Sequence, residues 1–207
     1  MNTGGERPRL LDLFCGAGGA SMGYYRAGFE VEGVDIKPQP HYPFKFYQAD
    51  ALSFLLEGYD VYHASPLCWR YQHLLRWRHP DAPNQIPAIR ERLLTTGKPY
   101  IIENVVGAPL LNPIRLCGVM FKLGVIRHRL FESNIGITEP VHISHNGSPR
   151  TGKYVTVAGH GGDSRDCTLK TWQEAMGIDW MTKYELTQAI PPAYCEFIGR
   201  YLLQSIA

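Results

Sequence analysis

Residues 11–19 read LDLFCGAGG, and this stretch decides the fold class. The apolar run RLLDLFC (9–15) has the length and composition of a buried strand. The glycines that follow, with GASMGYYRAGF behind them, predict a tight turn into a short helix. Glycine lets a backbone turn sharply and approach a ligand closely. A second strand, EVEGVDI (30–36), ends in Asp35, about 20 residues beyond the first, where an acid accepts hydrogen bonds from ribose hydroxyls. Turn, acid and strand order point to an adenosine cofactor. They leave a nicotinamide dinucleotide and S-adenosylmethionine both open, and Ser21 occupies the third glycine place of GxGxxG.

Further apolar runs continue the alternation. KFYQAD (45–50) and YDVYHAS (59–65) read as strands, IPAIRERLLTTG (86–97) as a helix and PYIIENV (99–105) as a strand. RLFESN (129–134) begins another strand. TLKTWQEAMGI (168–178) and PPAYCEFIGRYLLQSI (191–206) read as helices. Strands alternating with helices predict a doubly wound α/β sheet covered on both faces. Between about 136 and 170 the texture shifts to Gly, Ser, His and Asn with short β-prone runs such as KYVTVAG, which predicts a small insertion of loops or a hairpin within a single domain spanning 1–207.

A chain of 207 residues, 44% hydrophobic and 19% charged, is large enough for one core and ordinary for a soluble globular protein. No apolar run has the length of a bilayer span, and MNTGGERPR lacks the apolar stretch of a signal peptide, so a cytoplasmic monomer without membrane contact is expected. Cysteines at 15, 68, 117, 167 and 195 form no CxxC pair, so neither a disulfide framework nor a metal site is expected. His63, His128 and His160 take structural or surface readings. A net charge of +2 permits a nucleic-acid partner without requiring one. Arginines at 76, 78, 127 and 129, in RWRHP and IRHRL, are candidate phosphate contacts, and AGHGGDS (158–164) is a candidate backbone clamp on DNA.

Taken together these motifs resemble the DNA (cytosine-5)-methyltransferase family. DLFCGAGGASMGYYRAGF (12–29) is similar to its first motif. IIENV (101–105) resembles the motif of its catalytic glutamate, RHRLFES (127–133) its paired-arginine motif and AIPPAYCEFIG (189–199) its C-terminal motif. The order along the chain is the family's, the likeness runs from about residue 9 to 203, and it is greatest to small phage and prophage members. The resemblance implies a mixed sheet of the S-adenosylmethionine-dependent methyltransferase type with a short target-recognition insertion. It implies that S-adenosylmethionine is the cofactor, held by Phe14, Gly16, Ala17, Gly18, Gly19, Asp35, Ile36, Asp50 and Ala51. It also implies methylation of carbon 5 of a cytosine flipped out of double-stranded DNA, with Cys68, Glu103, Arg127 and Arg129 as catalytic residues.

This sequence departs from the family around the chemistry. The family's Pro-Pro-Cys-Gln reads Pro66-Leu67-Cys68-Trp69, with Gln72 where small members have Ser. Val125 stands for the arginine motif's leading Gln, and Gln188-Ala189 for Asn-Ser. Leucine in place of the ring before Cys68 is expected to loosen that loop. Two other readings stay open: a non-catalytic cofactor- or DNA-binding relative with a degenerate nucleophile loop, and an enzyme acting on tRNA cytosine.

Overall fold

β1 (Arg9–Leu13) lies inside a seven-stranded sheet, with β2 (Glu30–Asp35) on one side and β4 (Val61–Ala64) on the other. The computed structural model describes residues 6–71, 77, 80–148, 151, 153–158 and 168–207. The sheet order is β3-β2-β1-β4-β5-β7-β6, with β3 at Lys45–Gln48, β5 at Tyr100–Asn104, β6 at Ile114–Leu116 and β7 at Arg129–Ser133. The first five strands in this order are parallel, while β7 runs antiparallel to both β5 and β6. The mixed sheet therefore agrees with the expected fold class. The chain steps from β1 out to β2 and β3, then returns to the far side of β1 for β4 and β5. That reversal opens a crevice at the carboxyl ends of β1 and β4, the usual ligand position in open α/β sheets.

Alternation along β1 sorts the two faces. Leu10 packs with α1 (Gly19–Ala27) and α5 (Pro192–Ile206) through Tyr24, Tyr194, Ile198 and Leu202. Leu11 and Leu13 pack with Ile89 and Leu93 of α2 (Ile86–Thr95) on the other face. α2 is also tied to β7 by a two-pronged ion pair, in which Arg90 Nε and Nη2 donate to the Glu132 carboxylate at 2.6 and 2.7 Å. α3 (Leu169–Met176) and α4 (Lys183–Gln188) build a third cluster, joining Trp172, Met176 and Leu186 to Val125 and Val157. Among the described residues no helix is long and apolar enough to cross a membrane.

Two elements are not read from the sequence, and of the two forms expected for the insertion KYVTVAG takes the loop form among its described residues. Its only ladder contact there is a single bridge from Val155 to Val125, because Val157 is buried against α3 instead of pairing in a sheet. β6 spans three residues, too few for an alternation to register. α4 is short, and its Thr182–Glu185 capping box is a start signal present in the sequence.

α1 and α5 meet backbone to side chain at Gly23. A Cβ there would lie 2.2 Å from the Pro192 carbonyl oxygen and 2.7 Å from Cys195 Cβ. Alanine in a helix interior gains about 1 kcal/mol over glycine. A clash with backbone cannot be relieved by a rotamer change, and overpacking costs about 1–3 kcal/mol. Gly23→Ala is therefore expected to lower the urea unfolding midpoint. An unchanged or raised midpoint would contradict the close helix contact.

Candidate active site

The glycine turn leaves β1 through left-handed backbone, with Phe14 at φ 60°, Gly16 at φ 50° and Gly18 at φ 86°. Phe14 is a bulky residue in a region that strains L side chains. The turn is held from several directions. Gly16 N–H donates to Asp35 Oδ2 at 3.1 Å, and Lys37 N–H donates to Asp35 Oδ1 at 2.9 Å. Trp180 Nε1 donates to the Ala17 carbonyl at 2.9 Å. A Cβ on Gly19 would lie 2.4 Å from the Ile190 carbonyl, so the start of α1 rests directly on the lead into α5. On Gly16 a Cβ would meet nothing within 4 Å, so that face of the turn opens on free space.

Asp35 ends β2 and Ile36 follows it, 66% exposed although it is apolar. Asp50 follows β3 and its Oδ1 caps Leu52 N–H at 2.9 Å. Ala51 is buried, and its carbonyl accepts from Arg92 at 2.7 Å. Ala49 N–H donates to the Asp35 carbonyl at 3.0 Å, which links the two acid-bearing turns. Phe14 to Gly19, Asp35, Ile36, Asp50 and Ala51 thus all sit at the carboxyl ends of the adjacent strands β1, β2 and β3.

The second group gathers at the carboxyl ends of β4 and β5. Ser65 N–H donates to the Leu13 carbonyl, and Asn104 Nδ2 donates to the Pro66 carbonyl at 2.9 Å, fixing the loop that carries half-buried Cys68. Leu67 N–H donates to Gln85 Oε1 at 3.1 Å. A proline has no such donor, so this sequence holds the loop by a hydrogen bond where the resembling family holds it by a ring. The expected loosening is offset accordingly.

Glu103 of β5 is 6% exposed. Arg129 Nε lies 3.0 Å from its Oε1, an ion-pair distance, yet that oxygen accepts no well-directed hydrogen bond among the described residues. Burial pushes the Glu103 carboxyl up, and Arg129, Arg127 and a hydrogen bond from Ser65 pull it partly back. Arg127 is 7% exposed; it donates to the Val157 carbonyl at 3.0 Å and to the Thr187 carbonyl at 2.6 Å. Burial and the like charge of Arg129 lower Arg127 to about 9, against the opposing fields of Tyr194, Glu103 and Cys68. Cys68, Glu103, Arg127 and Arg129 therefore share one electrostatic neighbourhood. A cavity of about 370 Å³ borders Val125–Arg129 and Val155–Ala158, so the insertion walls a recess on the arginine side.

Several participants carried no sequence signal. His63 is fully buried, and burial lowers it to about 3, leaving it neutral. Its Nδ1 meets Tyr24 Oη at 2.8 Å and its Nε2 meets Ser65 Oγ at 2.7 Å, so a buried chain runs from α1 through Ser65 to Glu103. Ser65 and Asn104 are recognisable only as polar groups on buried strand ends, which must find partners. Val125, in place of a glutamine, is buried in the bridge to Val155, and Ala189 is buried beside Gly19. Gln188 Nε2 donates to Thr187 Oγ1. Gln72, Arg76, Arg78, His160, Cys167 and residues 159–164 of the proposed clamp lie outside the described residues.

No protein-family model matches the chain, and no curated protein matches its sequence. Solved structures do resemble it. One is described as a DNA modification methyltransferase encoded within an E. coli prophage, with TM-score 0.67 and 14% identity over 95% of this chain and 99% of that one. The Dnmt2 methyltransferase of S. pombe gives TM-score 0.67 and 12% identity, covering 97% and 99% of the two chains. The EhMeth methyltransferase of Entamoeba histolytica gives 0.61 and 11%, covering 98% and 100%. The chain thus has the fold of these methyltransferases along nearly its whole length.

Asp12 supplies a pH test of this architecture. It is fully buried beneath the glycine turn, accepts a hydrogen bond from Ser21 Oγ through Oδ2, and its Oδ1 has no partner among the described residues. Burial, eased by Ser21 and reinforced by Asp35, raises it to about 7. The folded state then binds more protons than the unfolded state between pH 4 and 7, so this group's contribution to stability falls as pH rises through that window. Asp12→Asn is expected to gain about 3 kcal/mol on the parent between pH 4.5 and 8 in urea unfolding. A constant difference between the two proteins would contradict the raised carboxyl.

Proposed function

We propose that this protein transfers a methyl group from S-adenosylmethionine to carbon 5 of cytosine in double-stranded DNA, with Cys68 as the covalent nucleophile. The observation that carries the reading is the convergence of Cys68, Glu103, Arg127 and Arg129, from three separate segments, beside the glycine turn. The turn fits the cofactor. Gly16 opens on free space, the Asp35 carboxylate keeps lone pairs beyond the two backbone donors it binds, and exposed Ile36 offers an apolar surface for a purine. Phe14, Gly16, Ala17, Gly18 and Gly19 would line the methionine portion, Asp35 would take the ribose hydroxyls, and Ile36, Asp50 and Ala51 the adenine. S-adenosylmethionine, once bound, supplies a methyl group activated by a sulfonium.

Each catalytic residue then answers a specific difficulty. Carbon 5 of cytosine is a weak nucleophile, and addition of a thiolate at carbon 6 pushes electron density onto it. Arg127, charged at neutral pH even at its lowered value of about 9, favours the Cys68 thiolate. Addition requires a proton or hydrogen bond at ring nitrogen 3. Glu103, whose carboxyl is raised by burial, holds a proton more readily than an exposed glutamate and also accepts from the exocyclic amine. Arg129 stabilises charge that develops on the ring carbonyl oxygen. The base reaches these groups only when flipped out of the stack. The insertion beside Arg127 and Arg129 is the proposed reader of the flanking sequence.

Bisulfite sequencing of DNA and tRNA from cells expressing the protein tests the reading directly. The expected outcome is cytosine protection at a defined DNA motif, abolished in Cys68→Ser. No protection in DNA, or protection that survives Cys68→Ser, would overturn it, and protection confined to tRNA would assign the RNA substrate instead.

A further inference from the structure

Beside the arginine motif, Cys117, His128, His142 and His145, none of them among the proposed catalytic groups, bring their ligand atoms together, all within 4.8 Å of one another. We propose that these four residues form a structural zinc site that pins the segment after β7 to the β6–β7 end of the sheet. This inference does not depend on the methyl-transfer reading.

Two of the ligand-atom distances match tetrahedral coordination, and the others stay within 4.8 Å. Cys117 Sγ lies 3.4 Å from His145 Nε2, and His128 Nε2 lies 3.2 Å from His142 Nε2. Zinc bonds of about 2.3 Å to sulfur and 2.0–2.1 Å to nitrogen, at tetrahedral angles, separate S and N by about 3.6 Å and two N atoms by about 3.3 Å. Two isolated hydrogen bonds would account for each close pair but not for the approach of one pair to the other. The donor set also fits the metal. One thiolate and three imidazoles, with no carboxylate in the group, are borderline-soft ligands that suit zinc and not magnesium or calcium.

The chain around these residues needs such a fastener. Residues 134–148 contain no helix or strand. Within them Val141 is 86% and Ile143 is 63% exposed, while the histidines at 142 and 145 are half-buried and turned toward buried Cys117. Over residues 141–145 this inverts the ordinary preference for apolar burial; Ile135 and Ile137 pack on the core earlier in the segment, but hydrophobic transfer does not explain how this later part is held. Metal coordination does. Cys117 heads a 3₁₀ turn (Gly118–Phe121) and is fully buried. His128 stands between Arg127 and Arg129, so the same ion would brace the arginine motif. Four protein ligands close the coordination shell, which makes the site structural and leaves no open position for a substrate. Binding converts the Cys117 thiol to a thiolate and releases its proton to solvent.

The spacing explains why the sequence concealed the site. Its ligands are one cysteine, one histidine 11 residues later and an H-x₂-H pair beyond β7, with no CxxC to announce them.

The test uses the full chain without an affinity tag, purified from zinc-supplemented cells and analysed by mass spectrometry for metals. About one zinc per chain is expected. Replacement by Co²⁺ is expected to give the intense visible bands of a tetrahedral site and a thiolate charge-transfer band in the near ultraviolet. His142→Ala and His145→Ala, in a half-exposed segment whose change spares the core, should each weaken Zn²⁺ binding more than tenfold. Cys117→Ser should lose the charge-transfer band. Should Cys117→Ser fail to fold, the histidine variants alone decide. Absence of zinc together with no tetrahedral Co²⁺ spectrum on titration would overturn the site. So would a Co²⁺ spectrum unchanged in His142→Ala and His145→Ala.

Discussion

A single buried guanidinium holds the functional half of this molecule together. Arg127 sends its donors to the Val157 carbonyl of the insertion and the Thr187 carbonyl of α4, and its own carbonyl accepts from Tyr194 of α5 at 2.7 Å. A charge at 7% exposure is costly unless its hydrogen bonds are met, and here backbone carbonyls from two segments accept from Nη1 and Nη2, while Nε has no partner among the described residues. The planar fork suits that task, since lysine would offer one point charge where two divergent donors are needed. The insertion and the adjoining helices α4 and α5 are thereby fixed around one residue. The same residue faces Glu103, Arg129 and Cys68, so the constraint that assembles the fold also sets the field at the proposed reaction centre.

That field is built from opposing penalties. Burial raises Glu103 and lowers Arg127, each toward its neutral form; their mutual attraction draws both back, while Arg129 helps Glu103 and pushes Arg127 further down. A carboxyl poised in this way can hold a proton against a base and yield it as charge develops. Behind it, neutral His63 and Ser65 carry the hydrogen-bond chain to Tyr24, and Asn104 clamps the Pro66 carbonyl. These supports are rigid because they lie on strand ends, and they hold Cys68's loop close to Glu103 without regular structure in the loop itself. Small displacements of a reacting group are expensive in rate, which gives such clamping its value.

The legible part of the sequence was local. LDLFCGAGG declared a strand, a turn and a helix in consecutive residues, and Asp35 followed at the end of the next strand, where its carboxylate in fact holds Gly16. Each central strand carried enough apolar residues to be read. The illegible part was made of contacts between distant residues. Nothing near Ser65 points to Glu103, 38 positions on, and nothing near Cys117 points to His145. KYVTVAG left loops and a hairpin both open for a related reason. β-branched runs favour strands only where a partner edge is available, and Val157 found α3 instead. The exchange of a ring at Leu67 for a hydrogen bond from Gln85 was equally hidden, because the compensating residue lies 18 positions away.

Covalent capture on DNA containing 5-fluorocytosine tests the central claim most directly, because fluorine at carbon 5 blocks release of the enzyme after methyl transfer. With S-adenosylmethionine present, the expected result is a protein–DNA adduct that survives denaturing gel electrophoresis and is absent in Cys68→Ser. An adduct that persists in Cys68→Ser, or none from a parent protein shown to bind both S-adenosylmethionine and the DNA, would contradict Cys68 as the nucleophile.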